Sequence, residues 1–130
     1  MVKAGTGAIV NTASVAGLIP EPGLCHYVAA KHGVIGLMRA LAAENARTGL
    51  TVNAVCPSFV ETDMLEESIS RIVGKTGRSE AEARASLMAS NPQGRFVKPE
   101  EIAASVLFLC SAAAASITGQ SISVSGGETW

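Results

Sequence analysis

Ser14, Tyr27 and Lys31 bring a hydroxyl, a phenol and an ammonium into one short run, Asn11 to Leu37. The tyrosine lies thirteen residues after the serine and four before the lysine. On a helix, positions four apart share a face and lie about 6 Å apart along the axis. An ammonium held there favours the charged form of the neighbouring phenol. A phenol so tuned can pass a proton to or from an alcohol or carbonyl oxygen, and a serine hydroxyl can hold that same oxygen. The trio suits carbonyl reduction or alcohol oxidation, apart from a hydride source. Each residue also has a plain structural reading: a strand-end serine capping its own turn, an aromatic ring packed on a sheet, a solvated helix lysine.

For the three groups to meet, a strand must deliver the serine and a helix must carry the other two. Gly7 to Ala13, with Ile9 and Val10 apolar, reads as that strand. A Pro/Gly loop over Leu18 to Leu24 leads into a helix from about Cys25 to Arg47, closed by Gly49 as a left-handed cap. Val34, Met38 and Leu41 form its apolar stripe, and Ala29, Ala30, Gly33 and Gly36 leave part of its surface small enough for another helix to approach. Leu50 to Cys56 reads as a buried strand stopped by Pro57. Pro99 opens a helix through about Ala113, with Glu100 and Glu101 favouring its positive end. Ile117 to Val124 reads as a third strand. Strands separated by helices predict an α/β fold with a parallel sheet and right-handed crossovers.

The pattern changes between Thr62 and Phe96. This stretch is too long for a plain connection, and Ser79 with Glu82 predicts a capping box at the start of a helix inside it. Its polar helices offer little core to cover, so it is expected to be the most mobile internal segment. Gly74-Lys75-Thr76 has the ending of a phosphate-binding loop, but Ile69 stands where the first glycine belongs and no strand precedes it.

Several blocks together resemble the short-chain dehydrogenase/reductase family: VNTASVAG, YVAAKHGVIGLMRALAAE, GLTVNAVCPSFVETDM, PEEIAASVLFLCS and ITGQSISVSGG. They cover nearly the whole chain in family order. The resemblance implies the C-terminal portion of a Rossmann-like doubly wound sheet, with about three strands, flanking helices and a substrate lid over residues 62–96. It implies catalysis by Ser14, Tyr27 and Lys31, with NAD or NADP contacted by Tyr27, Lys31, Pro57, Ser58, Val60 and Thr62. Ser58 stands where the family usually has glycine, and Ser125 where aspartate is common before Gly126 and Gly127. NPQGRFVKPEEIA and the closing glycine pair resemble 3-oxoacyl thioester reductases and 3-hydroxyacyl dehydrogenases. The family's TGxxxGxG turn, which seats the dinucleotide at a helix N-terminus, has no counterpart in residues 1–130. These residues are therefore expected to be a partial domain, inactive alone. The alternative is a noncatalytic half-domain serving as a folding or interaction module.

The formal net charge of −1 gives no electrostatic reason to expect nucleic acid or an anionic membrane as a partner. A small carbonyl or alcohol substrate is expected instead. The strand over residues 7–13 would expose an unpaired edge, which predicts homo-oligomers or association through that edge. Cys25, Cys56 and Cys110 are odd in number and show no metal-ligand spacing, so reduced and mostly buried thiols in a cytoplasmic protein are expected. His26 and His32, six apart, point in different directions and predict no shared metal.

Overall fold

The computed structural model describes residues 1–129. Three parallel strands form one sheet in the order β1 (Gly7–Thr12), β2 (Leu50–Pro57), β3 (Ser121–Val124). Four helices connect them: α1 (Cys25–Glu44), α2 (Asp63–Thr76), α3 (Glu80–Met88) and α4 (Pro99–Leu109). In register, Gly7 lies beside Leu50 and Thr12 beside Val55, while Ala54 lies beside Ser121 and Pro57 beside Val124.

β2 is the central strand, and Val52 to Cys56 have no exposed surface. Alternate residues of a strand face opposite sides. Leu50, Val52, Ala54 and Cys56 meet Ile35, Met38 and Ala42 of α1. The expected stripe is thus rotated slightly: Met38 lies at its centre, while Val34 and Leu41 are only half-buried flanks. The small surface at Ala29, Ala30, Gly33 and Gly36 is exposed, and no helix packs on its glycines among the described residues.

Helix α4 lies on the other side. Ile122 pairs in register with Val55, which faces away from α1, and Ile122 shares a cavity of about 340 Å³ with Ala104, Ser105, Phe108 and Leu109. Both connections advance the same way across the sheet, yet their helices occupy opposite faces. They therefore have opposite hands, and the expectation of uniformly right-handed crossovers fails. The rule rests on a short helix packing directly back onto the sheet. Here residues 58–98 intervene before α4 and remove that constraint.

Other boundaries move for local reasons. Helix α1 ends at Glu44, where the Asn45 side-chain amide donates to Leu41 O at 2.9 Å. Gly49 is not its left-handed cap; a Cβ there would strike the Gly5 carbonyl oxygen, so this glycine allows two backbones to touch. Pro57 is the last residue of β2 rather than its stop. Helix α4 ends at Leu109, and a separate 3₁₀ turn covers Ala112–Ala114. β3 starts only at Ser121, because Gly119 turns with φ 72° and the Thr118 hydroxyl takes the Val52 N–H at 3.0 Å.

The segment 62–96 folds around its own apolar cluster. Leu65, Ile69, Ala83 and Phe96 are buried together, with Phe59, Ile72, Val73, Leu87 and Met88 packed against them. The segment thus has a core of its own, contrary to the expectation that its helices have little to cover. Apolar residues on α2 and α3 that look scattered in sequence converge once the helices pair. The Ser79–Glu82 capping box forms as expected, and Arg84 bridges Glu66 at 2.5 Å and Glu80 at 3.0 Å. The base of the segment is tied by a parallel bridge between Val60 and Val97. Beside it, Arg95 holds both carboxylate oxygens of Glu101 at 2.7 Å, which with the Lys98 N–H lowers the Glu101 carboxyl to about 2.

Ile69 is 2% exposed at the centre of this cluster. Ile69→Ala is expected to cost about 2–5 kcal/mol, measured by urea denaturation. Hydrogen exchange should accelerate through residues 63–88, while β2 amides remain protected.

Candidate active site

β1 ends at Thr12, and the chain leaves the sheet through Ala13 into a short 3₁₀ turn, Val15–Gly17. Ser14 is the N-cap of that turn, its Oγ accepting from the Ala16 N–H at 3.2 Å. This leaves the hydroxyl's own proton available to a ligand oxygen. Tyr27 lies in the first turn of α1 with its side chain partly exposed, and Lys31 lies one turn further on. Lys31 Nζ donates to Thr12 O at 3.2 Å and sits 5.5 Å from the centre of the Tyr27 ring. The lysine thus bridges the end of β1 and the face of the phenol, and the cation over the ring is attractive in its own right.

Gly17 makes this convergence possible, and sequence reasoning did not single it out. A Cβ at this position would lie 2.7 Å from Ile35 Cδ1 and 2.9 Å from Lys31 O. The turn carrying Ser14 therefore packs directly on the backbone of the residue carrying the ammonium. A glycine three residues after a strand-end serine, among buried small residues, was the available signal.

The end of β2 and the residues that follow it are held by β3 on one side and by Val97 on the other. Pro57 is buried and pairs with Val124. The Ser58 N–H donates to Val124 O at 3.3 Å, and its hydroxyl donates to a carboxylate oxygen of Glu128. Val60 bridges to Val97, with the Val97 N–H on Phe59 O and the Glu61 N–H on Val97 O, both at 2.9 Å. Thr62 is exposed at the N-cap of α2 but does not cap it; its hydroxyl donates to Val60 O at 3.3 Å. Past Gly126 and Gly127 the chain folds back, with Ser125 buried and bonded to Ser123, and Thr129 also on Ser123.

Burial pushes the Cys56 thiol up, against the Ser14 backbone N–H and the charges of Lys31 and Arg39. Burial also raises the Glu21 carboxyl, and the nearby Glu128 raises it further. The expectation of mostly buried thiols holds for Cys56 alone, since Cys25 and Cys110 lie at helix ends open to solvent. His26 and His32 are both exposed, and His32 Nδ1 is engaged with Val28 O at 3.0 Å. Among the described residues no three His, Cys, Asp or Glu side chains converge in a metal-binding group. No helix there is long and apolar enough to cross a membrane.

A family model described as enoyl-(acyl carrier protein) reductase matches residues 1–129. The chain belongs to this family, among the short-chain dehydrogenases/reductases. It is 45% identical to a putative ketoacyl reductase of Streptomyces coelicolor, over 98% of this chain and 49% of that protein. It is 39% identical to a D-beta-hydroxybutyrate dehydrogenase of Rhizobium meliloti, over 99% of this chain and 50% of that protein. A crystal structure of a variant actinorhodin polyketide ketoreductase with NADPH superposes with a TM-score of 0.93 at 43% identity, covering 98% of this chain and 49% of that one. The chain spans about half the length of the curated relatives it matches.

Two expectations follow from the site's packing and charge. Gly17→Ala should separate the Ser14 turn from α1 and destabilise the fold by about 1–3 kcal/mol, read by thermal unfolding. The Glu21 carboxyl titrates above its ordinary value when folded, so its contribution falls as pH rises from the unfolded value through the raised one. Glu21→Gln should therefore raise the melting temperature near neutrality, and the gain should fade below the unfolded carboxylate range, near 4.5.

Proposed function

We propose that these residues form the proton-transfer part of a reductase or dehydrogenase that exchanges hydride between NAD or NADP and a carbonyl or alcohol, a 3-oxoacyl thioester being the substrate type favoured by the ketoacyl reductase relatives. The observation that carries this reading is the position of Lys31, held by Thr12 O with its charge over the Tyr27 ring. Tyr27 gives its proton to the substrate oxygen in reduction and takes it back in oxidation. Lys31 favours the phenolate left behind by charge, and Ser14 donates its hydroxyl to the same oxygen.

The residues present suit the nicotinamide end of the cofactor. The Lys31 ammonium has three donors and commits one to Thr12 O, which leaves donors for a ribose hydroxyl. Thr62 presents an exposed hydroxyl, and Pro57, Ser58 and Val60 form a short backbone ledge held by β3 and Val97. The Ser58 N–H is spent on Val124 O, so Val60 and Thr62 are the better-placed contacts. When bound, the nicotinamide supplies or accepts the hydride. Residues 62–96 act as the substrate lid, moving as a packed unit about the Val60–Val97 bridge. The outer edge of β1 has no strand partner among the described residues, which supports association through that edge. The 130 residues by themselves are expected to bind either cofactor weakly and not to turn over.

The test joins this chain to an N-terminal dinucleotide-binding half and compares Tyr27→Phe with the parent. Turnover should fall by at least about a hundredfold, while cofactor affinity, read by nicotinamide fluorescence, should change little. Most of the parent turnover surviving would reject the proton-transfer role.

A further inference from the structure

The chain after β3 returns to the 58–62 ledge. Gly126 and Gly127 turn it with φ 64° and 97°, and the Glu128 N–H closes the turn on Ser125 O at 3.4 Å. The Thr129 hydroxyl then donates to Ser123, so Glu128 is fastened on both sides. Its carboxylate accepts the Ser58 hydroxyl. Among the described residues Ser58 is the one side-chain partner of Glu128, and no ion pair draws the carboxylate elsewhere. Ser58 is thus gripped twice by one short stretch of chain: its N–H by Val124 O, just before the turn, and its hydroxyl by Glu128, just after it. The same turn seats on the far end of the inserted segment. A Cβ on Gly126 would overlap the side-chain amide of Asn91, a residue 5% exposed whose Oδ1 takes the Gln93 N–H at 2.8 Å. The turn therefore touches the stretch between β2 and α4 at its entry, Ser58, and near its exit, Asn91.

We propose that Glu128 is a positioning residue for the cofactor: by accepting the Ser58 hydroxyl it fixes the ledge on which the nicotinamide end rests. The inference rests on the reading of that ledge as a cofactor contact. Position 58 has no positive φ, so its backbone does not need glycine. A glycine, usual in the family, would remove the hydroxyl that Glu128 holds and loosen the backbone there. A hydrogen bond to an ionised group is among the stronger ones. A ledge fixed before the cofactor arrives avoids the cost of ordering it on binding. Ser58 spends both of its donors on this attachment, so its part is to hold the ledge rather than to touch the cofactor.

The test uses this chain joined to an N-terminal dinucleotide-binding half. Cofactor affinity is read by nicotinamide fluorescence, and hydrogen exchange of the 59–62 amides is read without cofactor. Glu128→Ala and Ser58→Ala should each weaken cofactor binding about tenfold, the lower end for a hydrogen bond to a charged group. The double variant should bind no more weakly than either single one, because both remove the same interaction. The cofactor KM should change more than kcat at saturating cofactor. Glu128→Gln should recover most of the loss, since its amide oxygen still accepts the hydroxyl. Ser58→Gly should give the same loss as Ser58→Ala and does not depend on the fold tolerating Glu128→Ala. Exchange of the 59–62 amides should accelerate in every variant that weakens binding. Unchanged exchange in Glu128→Ala or Ser58→Gly would overturn the attachment itself. Faster exchange with unchanged affinity would overturn the proposal through the reading of the ledge. Additive losses would mean that Ser58 meets the cofactor directly and would overturn it too. None of these outcomes bears on proton transfer by Tyr27, which its own variant tests.

Discussion

The complete burial of β2 is the constraint on which the molecule depends. A strand with no exposed surface from Val52 to Cys56 must have its backbone paired on both edges and both faces covered. β1 and β3 supply the edges, and α1 covers the face of Leu50, Val52, Ala54 and Cys56. Asn53, the one polar side chain in this stretch, is satisfied by Ile117 O at 2.7 Å and the Gln120 N–H at 3.0 Å. Those bonds set where the chain enters β3. An unpaired amide there would carry a large desolvation cost, so the burial of Asn53 and the path of residues 117–120 require each other.

The candidate chemistry sits where these strands end. Parallel strands deliver their C-terminal ends to one edge of the sheet, and ligands of open α/β folds bind outside that edge. Thr12 ends beside Val55 and Pro57 beside Val124, so the Ser14 turn, the 58–62 ledge and the chain after Val124 leave the sheet at the same edge although far apart in sequence. Helix α1 then needs only a tight seat to bring Tyr27 and Lys31 to the same place, and Gly17 provides it. The charges follow the same geometry. Lys31 reaches a strand-end carbonyl on the α1 side, and Glu128 reaches Ser58 on the β3 side.

The segment between β2 and α4 shows how an insertion can be substantial without disturbing the sheet. Its two helices bury Leu65, Ile69 and Ala83 against Phe96, and its base is clamped at Val60–Val97 and Arg95–Glu101. It is both attached and self-contained. Its length also carries α4 to the face opposite α1, so the sheet is covered on both sides.

Much of this was legible in the sequence because it follows from local pattern. The apolar run of β2, the i, i+4 spacing of Tyr27 and Lys31, the Ser79–Glu82 box and Pro99 at a helix start each express a preference within a few residues. The three strands, the main helices and the candidate trio came from such signals together with the family resemblance. Tertiary structure decided what no local pattern encodes. Glycine at position 17 is a contact with Lys31, Gly49 is a contact with Gly5 rather than a helix cap, and the cluster in residues 62–96 exists only once its helices pair. Opposite-handed connections and the meeting of Ser58 with Glu128 have the same origin. They depend on which distant backbones the sheet brings side by side, and a linear pattern carries residue types and spacings but not those distances.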